Sequence, residues 1–157
     1  MLDRRGVGRE APSLNPTLDF LRLLWSIEHS LQSTSKKMAS RLGITGPQRL
    51  VLRVIAQFPG ISAKEVAHVV RLHPSTVTGI LQRLEKKGLL LRGSDPIDTR
   101  RVRLRILPAA RRFVRPAPGT IEHAVERGLK RVPRSAVHAA RRVLTSIATS
   151  LEARAPK

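Results

Sequence analysis

Apolar residues fall into blocks whose spacing runs helical, then alternating, then helical again, and these blocks predict a mainly helical chain with one two-stranded hairpin. Residues 1–16 stand outside the pattern. Gly6, Gly8, Pro12 and Pro16 with scattered charge offer no face to pack, so a flexible arm is expected there. From Thr17 onward, Phe20, Leu24, Ile27 and Leu31 recur at helical steps with Leu21 and Trp25 beside them. They predict a helix to about Ser40 whose broad apolar stripe needs a partner.

Thr45-Gly46-Pro47-Gln48 reads as a helix start, with Thr45 accepting from a free amide, Pro47 in the first turn and Gln48 reaching back. Leu50, Val51, Val54, Ile55 and Phe58 mark the expected buried face, and Pro59-Gly60 ends it. Ser62-Ala63-Lys64-Glu65 is a second capping box, opening a short helix through Val70 with Val66, Ala67, Val69 and Val70 apolar. Arg71-Leu72 is left as a turn. Pro74 then starts a third helix in which Val77, Ile80, Leu81 and Leu84 form one face, until Gly88 offers a left-handed stop. Lys86 and Lys87 suit that end's negative dipole.

Leu89 to Arg92, the turn-rich Gly93-Ser94-Asp95-Pro96-Ile97-Asp98, and Val102, Leu104 and Ile106 alternating with Arg103 and Arg105 predict the hairpin. Helical spacing resumes at Ala109, and Pro116, Pro118 and Gly119 predict a kink or break that Thr120 can cap. Val137, Ala140, Leu144, Ile147 and Leu151 then repeat at three, four, three and four, like the seam of paired helices. The chain reads as one domain over 17–157: three short helices and a hairpin over about 45–107, flanked by long helical segments over about 17–42 and 109–153.

Charge changes the picture. Among 157 residues, 30 are Lys or Arg and 11 Asp or Glu, a net +19 that repels itself unless a polyanion offsets it. The excess is small before residue 47, with seven basic and four acidic residues, and large over 47–108, with twelve and four, and after 108, with eleven and three. Nucleic acid is the leading partner, against the plain alternative that an Arg-rich and Ala-rich chain reflects codon bias. The apolar fraction of 41% with only 3% aromatic suits a helical aliphatic core. There is no cysteine, which excludes thiolate metal sites and a cysteine redox sensor. No apolar run reaches membrane-spanning or signal-peptide length, so a cytoplasmic protein without membrane contact is expected.

Two short helices, a tight turn and a hairpin follow the order of a winged helix-turn-helix, whose second helix enters the major groove. Its polar face would carry Ser75, Thr76, Thr78, Gln82 and Arg83, short groups that permit close approach followed by longer ones. The plain alternative is an ordinary exposed first turn. At the hairpin tip, Arg100 and Arg101 are candidates for the adjacent minor groove, with Asp98 orienting Arg100; an inconsequential surface ion pair is the alternative. The five histidines are scattered, and Glu122, His123 and Glu126 read as a solvated helix face. No catalytic, metal or cofactor motif is present, so an enzyme is not expected. Trp25 reads as core or dimer interface.

Pro74-Ser75-Thr76-Val77-Thr78 through Leu84-Glu85-Lys86-Lys87-Gly88-Leu89 resembles the recognition helix and exit of the MarR (multiple antibiotic resistance regulator) family. Asp95-Pro96-Ile97-Asp98-Thr99-Arg100-Arg101 resembles its wing. The resemblance runs over roughly 17–152. It implies dimerisation through the first and last helices, a cleft for small, often aromatic acids, and regulation of transcription, with repression expected. An architectural or low-specificity nucleic-acid binder is the alternative. The sequence departs from the family's pattern at His73, where an acidic or hydroxyl cap is usual, and at Gly79, where a base-contacting Arg is common. Leu107 and Ala110 replace the usual Thr and Gly after the wing, and Pro118-Gly119 fall within a helix that is normally continuous.

Overall fold

The structure, a computed structural model, describes residues 13–94 and 102–153. Most of the expected flexible arm, residues 1–12, lies outside them. Helix α1 (Pro16–Leu42) starts at Pro16, because Asn15 Oδ1 accepts from the Leu18 amide at 2.9 Å. It ends two residues beyond expectation at Gly43, whose φ of 73° is the left-handed turn glycine tolerates. Helices α2 (Gly46–Gln57) and α3 (Ala63–Val70) start at the two capping boxes, both reciprocal: Gln48 with Thr45, Glu65 with Ser62. Helix α4 (Pro74–Lys86) follows a turn whose Arg71 carries a positive φ of 51°.

Strands β1 (Leu90–Ser94) and β2 (Val102–Ile106) pair antiparallel, Leu90 opposite Ile106 and Ser94 opposite Val102. Leu104 also exchanges backbone hydrogen bonds of 3.0 Å with Gly60 and Ile61, tying the wing stem to the loop after α2. A 3-10 turn (Pro108–Ala110) and the single turn α5 (Arg111–Val114) precede the predicted interruption. Thr120 then caps α6 (Ile121–Leu129), accepting from the His123 amide, and α7 (Arg134–Glu152) closes the described chain. A further break over 130–133, ahead of Pro133, divides the last segment beyond the expected kink.

One core joins α2, α3, α4 and the wing. Val51, Leu52, Ile55, Val66, Leu81, Leu84 and Leu104 are essentially inaccessible to solvent within it. Two expected core residues of α2 are corrected: Leu50 and Phe58 stand about half exposed, while Leu52 and, unexpectedly, Gln48 and Arg49 are buried. Val69 of α3 is likewise exposed. The reason is geometric, since α2 is clasped on two sides, by the core and by α1 with α6, and its buried arc is shifted from the one that apolar spacing suggests.

The second clasp is polar. Arg49, only 1% exposed, donates through Nε to Glu122 Oε1 and through Nη2 to the Arg115 carbonyl at 2.5 Å, while Arg53 Nη1 lies 3.0 Å from the same carboxylate. This overturns the reading of Glu122 as part of a solvated face. Beside it the Gly46 amide donates to Ser35 Oγ at 2.9 Å, and a Cβ on Gly46 would lie 2.4 Å from Ile121 Cδ1. Arg41 Nη2 donates to the Pro118 carbonyl at 2.8 Å. Thus α1, α2 and the 115–122 connection meet at one joint. Beyond it, α6 and α7 bury no residue, and α1 buries only Met38.

Burial alone would raise the Glu122 carboxyl. The hydrogen bonds from Arg49, its own helix amide and Arg53, with the Arg49 charge, outweigh burial and hold it below its ordinary 4.5. A folded-state value below the unfolded one contributes stability that is complete above the unfolded value and is lost as pH falls through the folded one. Glu122→Gln should therefore destabilise the neutral protein by about 3 kcal/mol, the low end for breaking a buried pair because the carboxylate is partly exposed. The gap from wild type should narrow on acidification. Urea unfolding at neutral pH and at roughly pH 3.5 checks both; an equal loss at the two pH values would remove the charge from the account.

Candidate nucleic-acid interface

Helix α4 divides cleanly. Val77, Ile80, Leu81 and Leu84 are buried against α2, α3 and the wing, which fixes the rotation of the helix about its axis. The opposite arc is solvent-exposed and carries Ser75, Thr76, Thr78, Gln82, Arg83 and Lys86, with no carboxylate among them. All five candidate reading residues on this helix are therefore on one accessible face. Its far end is anchored by Arg92 Nε, 2.9 Å from Glu85 Oε2, and by Lys87 Nζ, which donates to the Gly43 carbonyl at 2.7 Å.

Their hydrogen-bonding capacity is uneven. His73, in the cap position, accepts through Nδ1 from the Ser75 amide at 3.3 Å and lies 2.7 Å from Ser75 Oγ. A histidine thus does what an acidic or hydroxyl cap does elsewhere. Thr78 Oγ1 donates back to the Pro74 carbonyl at 2.9 Å, so toward a base edge it offers an acceptor and a methyl group. Thr76, Gln82 and Arg83 make no side-chain hydrogen bond among the described residues, which leaves their donors available. Asp98, Arg100 and Arg101 lie outside the described residues; the flanking strands Leu90–Ser94 and Val102–Ile106 establish the hairpin that joins them.

Sequence reasoning did not find the joint formed by Arg41, Arg49, Arg53 and Glu122. Its one visible signal is Arg53 inside the otherwise apolar stretch 50–56, with Arg49 at its edge. A second feature is an open apolar groove of about 430 Å³ between the start of α1 and the end of α7, lined by Phe20, Leu21, Leu24, Val143, Ile147 and Leu151. With Trp25 62% exposed, both predicted apolar stripes lie open on a single chain. Among the described residues, no three His, Asp or Glu are placed to hold a metal ion, and no helix is long and apolar enough to cross a membrane.

Residues 44–102, from the start of α2 to the return strand of the wing, match the MarR family model. The HTH-type transcriptional regulator TtmR of Methylorubrum extorquens is 33% identical over 60% of the chain, a match that spans about half (48%) of that protein's length. The HTH-type transcriptional repressor Rv2887 of Mycobacterium tuberculosis is 26% identical over 70% of this chain and 79% of its own. The crystal structure of CouR from Rhodococcus jostii, bound to p-coumaroyl-CoA, superposes with a TM-score of 0.71 at 26% identity, covering 87% of this chain and 96% of that one.

The His73 cap makes a local prediction. His73→Ala should leave the Ser75 amide without its side-chain acceptor and lower stability by about 1 kcal/mol. His73→Asp should recover the loss. Denaturant midpoints of the three proteins decide it, and an unchanged midpoint for His73→Ala would mean that the imidazole contributes nothing to the helix start.

Proposed function

We propose that the chain is a winged helix-turn-helix transcriptional regulator of the MarR family, whose model matches residues 44–102, and that it is a homodimer that reads a two-part operator, represses from it, and leaves it when a small organic ligand binds. The observation that carries the reading is the polar, carboxylate-free face of α4, presented outward by a fully buried opposite face. In this reading Thr76, Thr78, Gln82 and Arg83 address base edges and Ser75 the flanking phosphates. Asp98, Arg100 and Arg101 serve the minor groove from the wing, with Asp98 positioning Arg100. Repression is supported by the name of the Mycobacterium relative, and a ligand by the p-coumaroyl-CoA carried by CouR.

Surface chemistry supports dimerisation. The exposed apolar arcs of α1 and α7 form a continuous face of the kind that marks an interface, and the α1–α7 groove offers room for side chains of a second copy. Two copies place two α4 helices on one duplex, which calls for half-sites about one helical turn apart. The domain division in this reading is a winged module over about 45–107 between dimerising helices over about 17–42 and 109–153.

Light scattering at micromolar concentration should give twice the chain mass, and Leu24→Asp combined with Leu144→Asp should give a folded monomer. A wild-type monomer with α1 and α7 helical would rule the dimer out. DNA fragments selected from genomic DNA should share a palindromic consensus, bound on the order of 10³-fold or more tighter than random duplex. Near-equal affinity for both would favour the architectural alternative that the +19 charge suggests. On that consensus, Thr78→Ala or Arg83→Ala should relax preference at one position of each half-site, by about 1–3 kcal/mol. Equal weakening on consensus and random DNA would reassign these side chains to phosphates.

A further inference from the structure

Gly79, itself part-buried, lies at the centre of the outward-facing arc of α4, between the exposed Ser75 and Thr76 one turn before it and Gln82 and Arg83 one turn after. Nothing among the described residues accounts for a glycine there. Its backbone is ordinary right-handed helix, for it is absent from the positive-φ glycines, which are Gly43, Gly60, Gly88 and Gly119. A Cβ built on it meets no atom within 4 Å, in contrast to Gly46, where one would collide with Ile121. Mid-helix glycine also costs stability relative to alanine, so the fold by itself favours a side chain at this position.

The neighbouring short side chains deepen the notch. Ser75 Oγ is held on His73 and Thr78 Oγ1 on the Pro74 carbonyl, so both hydroxyls are engaged by the helix start. The surface is low through the first two turns and rises at Gln82 and Arg83. In a helix lying in the major groove, it is the N-terminal part that comes nearest the base edges, and glycine is the residue that lets backbone approach a ligand most closely. A bare Cα is apolar, and the apolar group on the major-groove floor is the thymine 5-methyl.

Resting on the reading of α4 as the DNA-reading helix, we propose that Gly79 is the point of closest approach between protein and operator, its Cα packed on a thymine methyl, and that it determines specificity by the side chain it lacks. The base selected here is recognised by fit. The Gln82 and Arg83 side chains hydrogen-bond to its neighbours.

The test uses the full chain and a consensus operator selected from genomic DNA. Gly79→Ala should raise the melting temperature by roughly 1–4 °C and yet weaken operator binding about ten- to a hundredfold, with affinity for random duplex within about twofold of wild type. Deoxyuridine is then substituted for each thymine in turn. At one symmetric pair of positions the wild type should lose affinity, while Gly79→Ala should regain most of what it lost, because removing the base methyl makes room for the alanine methyl. Operator binding by Gly79→Ala that equals or exceeds wild type would overturn the close approach. A loss that no deoxyuridine relieves would overturn the thymine assignment. A wild-type chain that selects no operator would instead remove the reading of α4, and this inference with it.

Discussion

A guanidinium almost wholly withdrawn from water must be given a counter-charge and hydrogen-bond acceptors, and the placement of Arg49 imposes that demand on everything around it. Its partners flank the interruption at 116–119, the Arg115 carbonyl just before it and the Glu122 carboxylate just after it. Satisfying Arg49 therefore means bringing α6 back against α2. The winged module is folded by its own aliphatic core, but its direction relative to the long helices is set at this ion pair and at the neighbouring Gly46 and Arg41 contacts. Removing the carboxylate leaves a charge that can neither be shed by deprotonation nor reach solvent without opening the joint.

Local signals were legible in the sequence because their physics is local. Thr45 with Gln48, Ser62 with Glu65, and Thr120 ahead of His123 are each contacts across three residues, and each starts a helix where the residue types say it should. The buried face of α4 was legible for a related reason: its helix has one packed side, so spacing and burial coincide. Helix α2 has two. There the spacing of Leu50 and Phe58 named positions that tertiary packing turns outward, and Arg49 was buried in their place. No periodicity links Arg49 to a carboxylate 73 positions away, and the histidine cap was hidden because imidazole is rarely assigned that role.

Charge and apolar exposure act against each other in this chain. Each copy carries +19, and the arcs of α1 and α7 that pairing would bury belong to helices that also bear Arg134, Arg141 and Arg142. Apolar burial responds only weakly to moderate salt, whereas repulsion between copies is screened within about 10 Å at moderate ionic strength. In the proposed reading, association and DNA contact would thus be moved in opposite directions by the same ions, since salt that eased pairing would also weaken a grip on phosphate.

The packing of Gly46 reaches beyond stability, into how the sequence is able to vary. A methyl group there would fall well inside the van der Waals radius of Ile121, on the far side of the joint. Exchange at position 46 therefore requires the Ile121 side chain to turn its terminal methyl away, and a smaller residue at 121 eases it. The two sites vary as a coupled pair. Drift in the winged half and drift in the C-terminal helices are coupled through a single missing side chain.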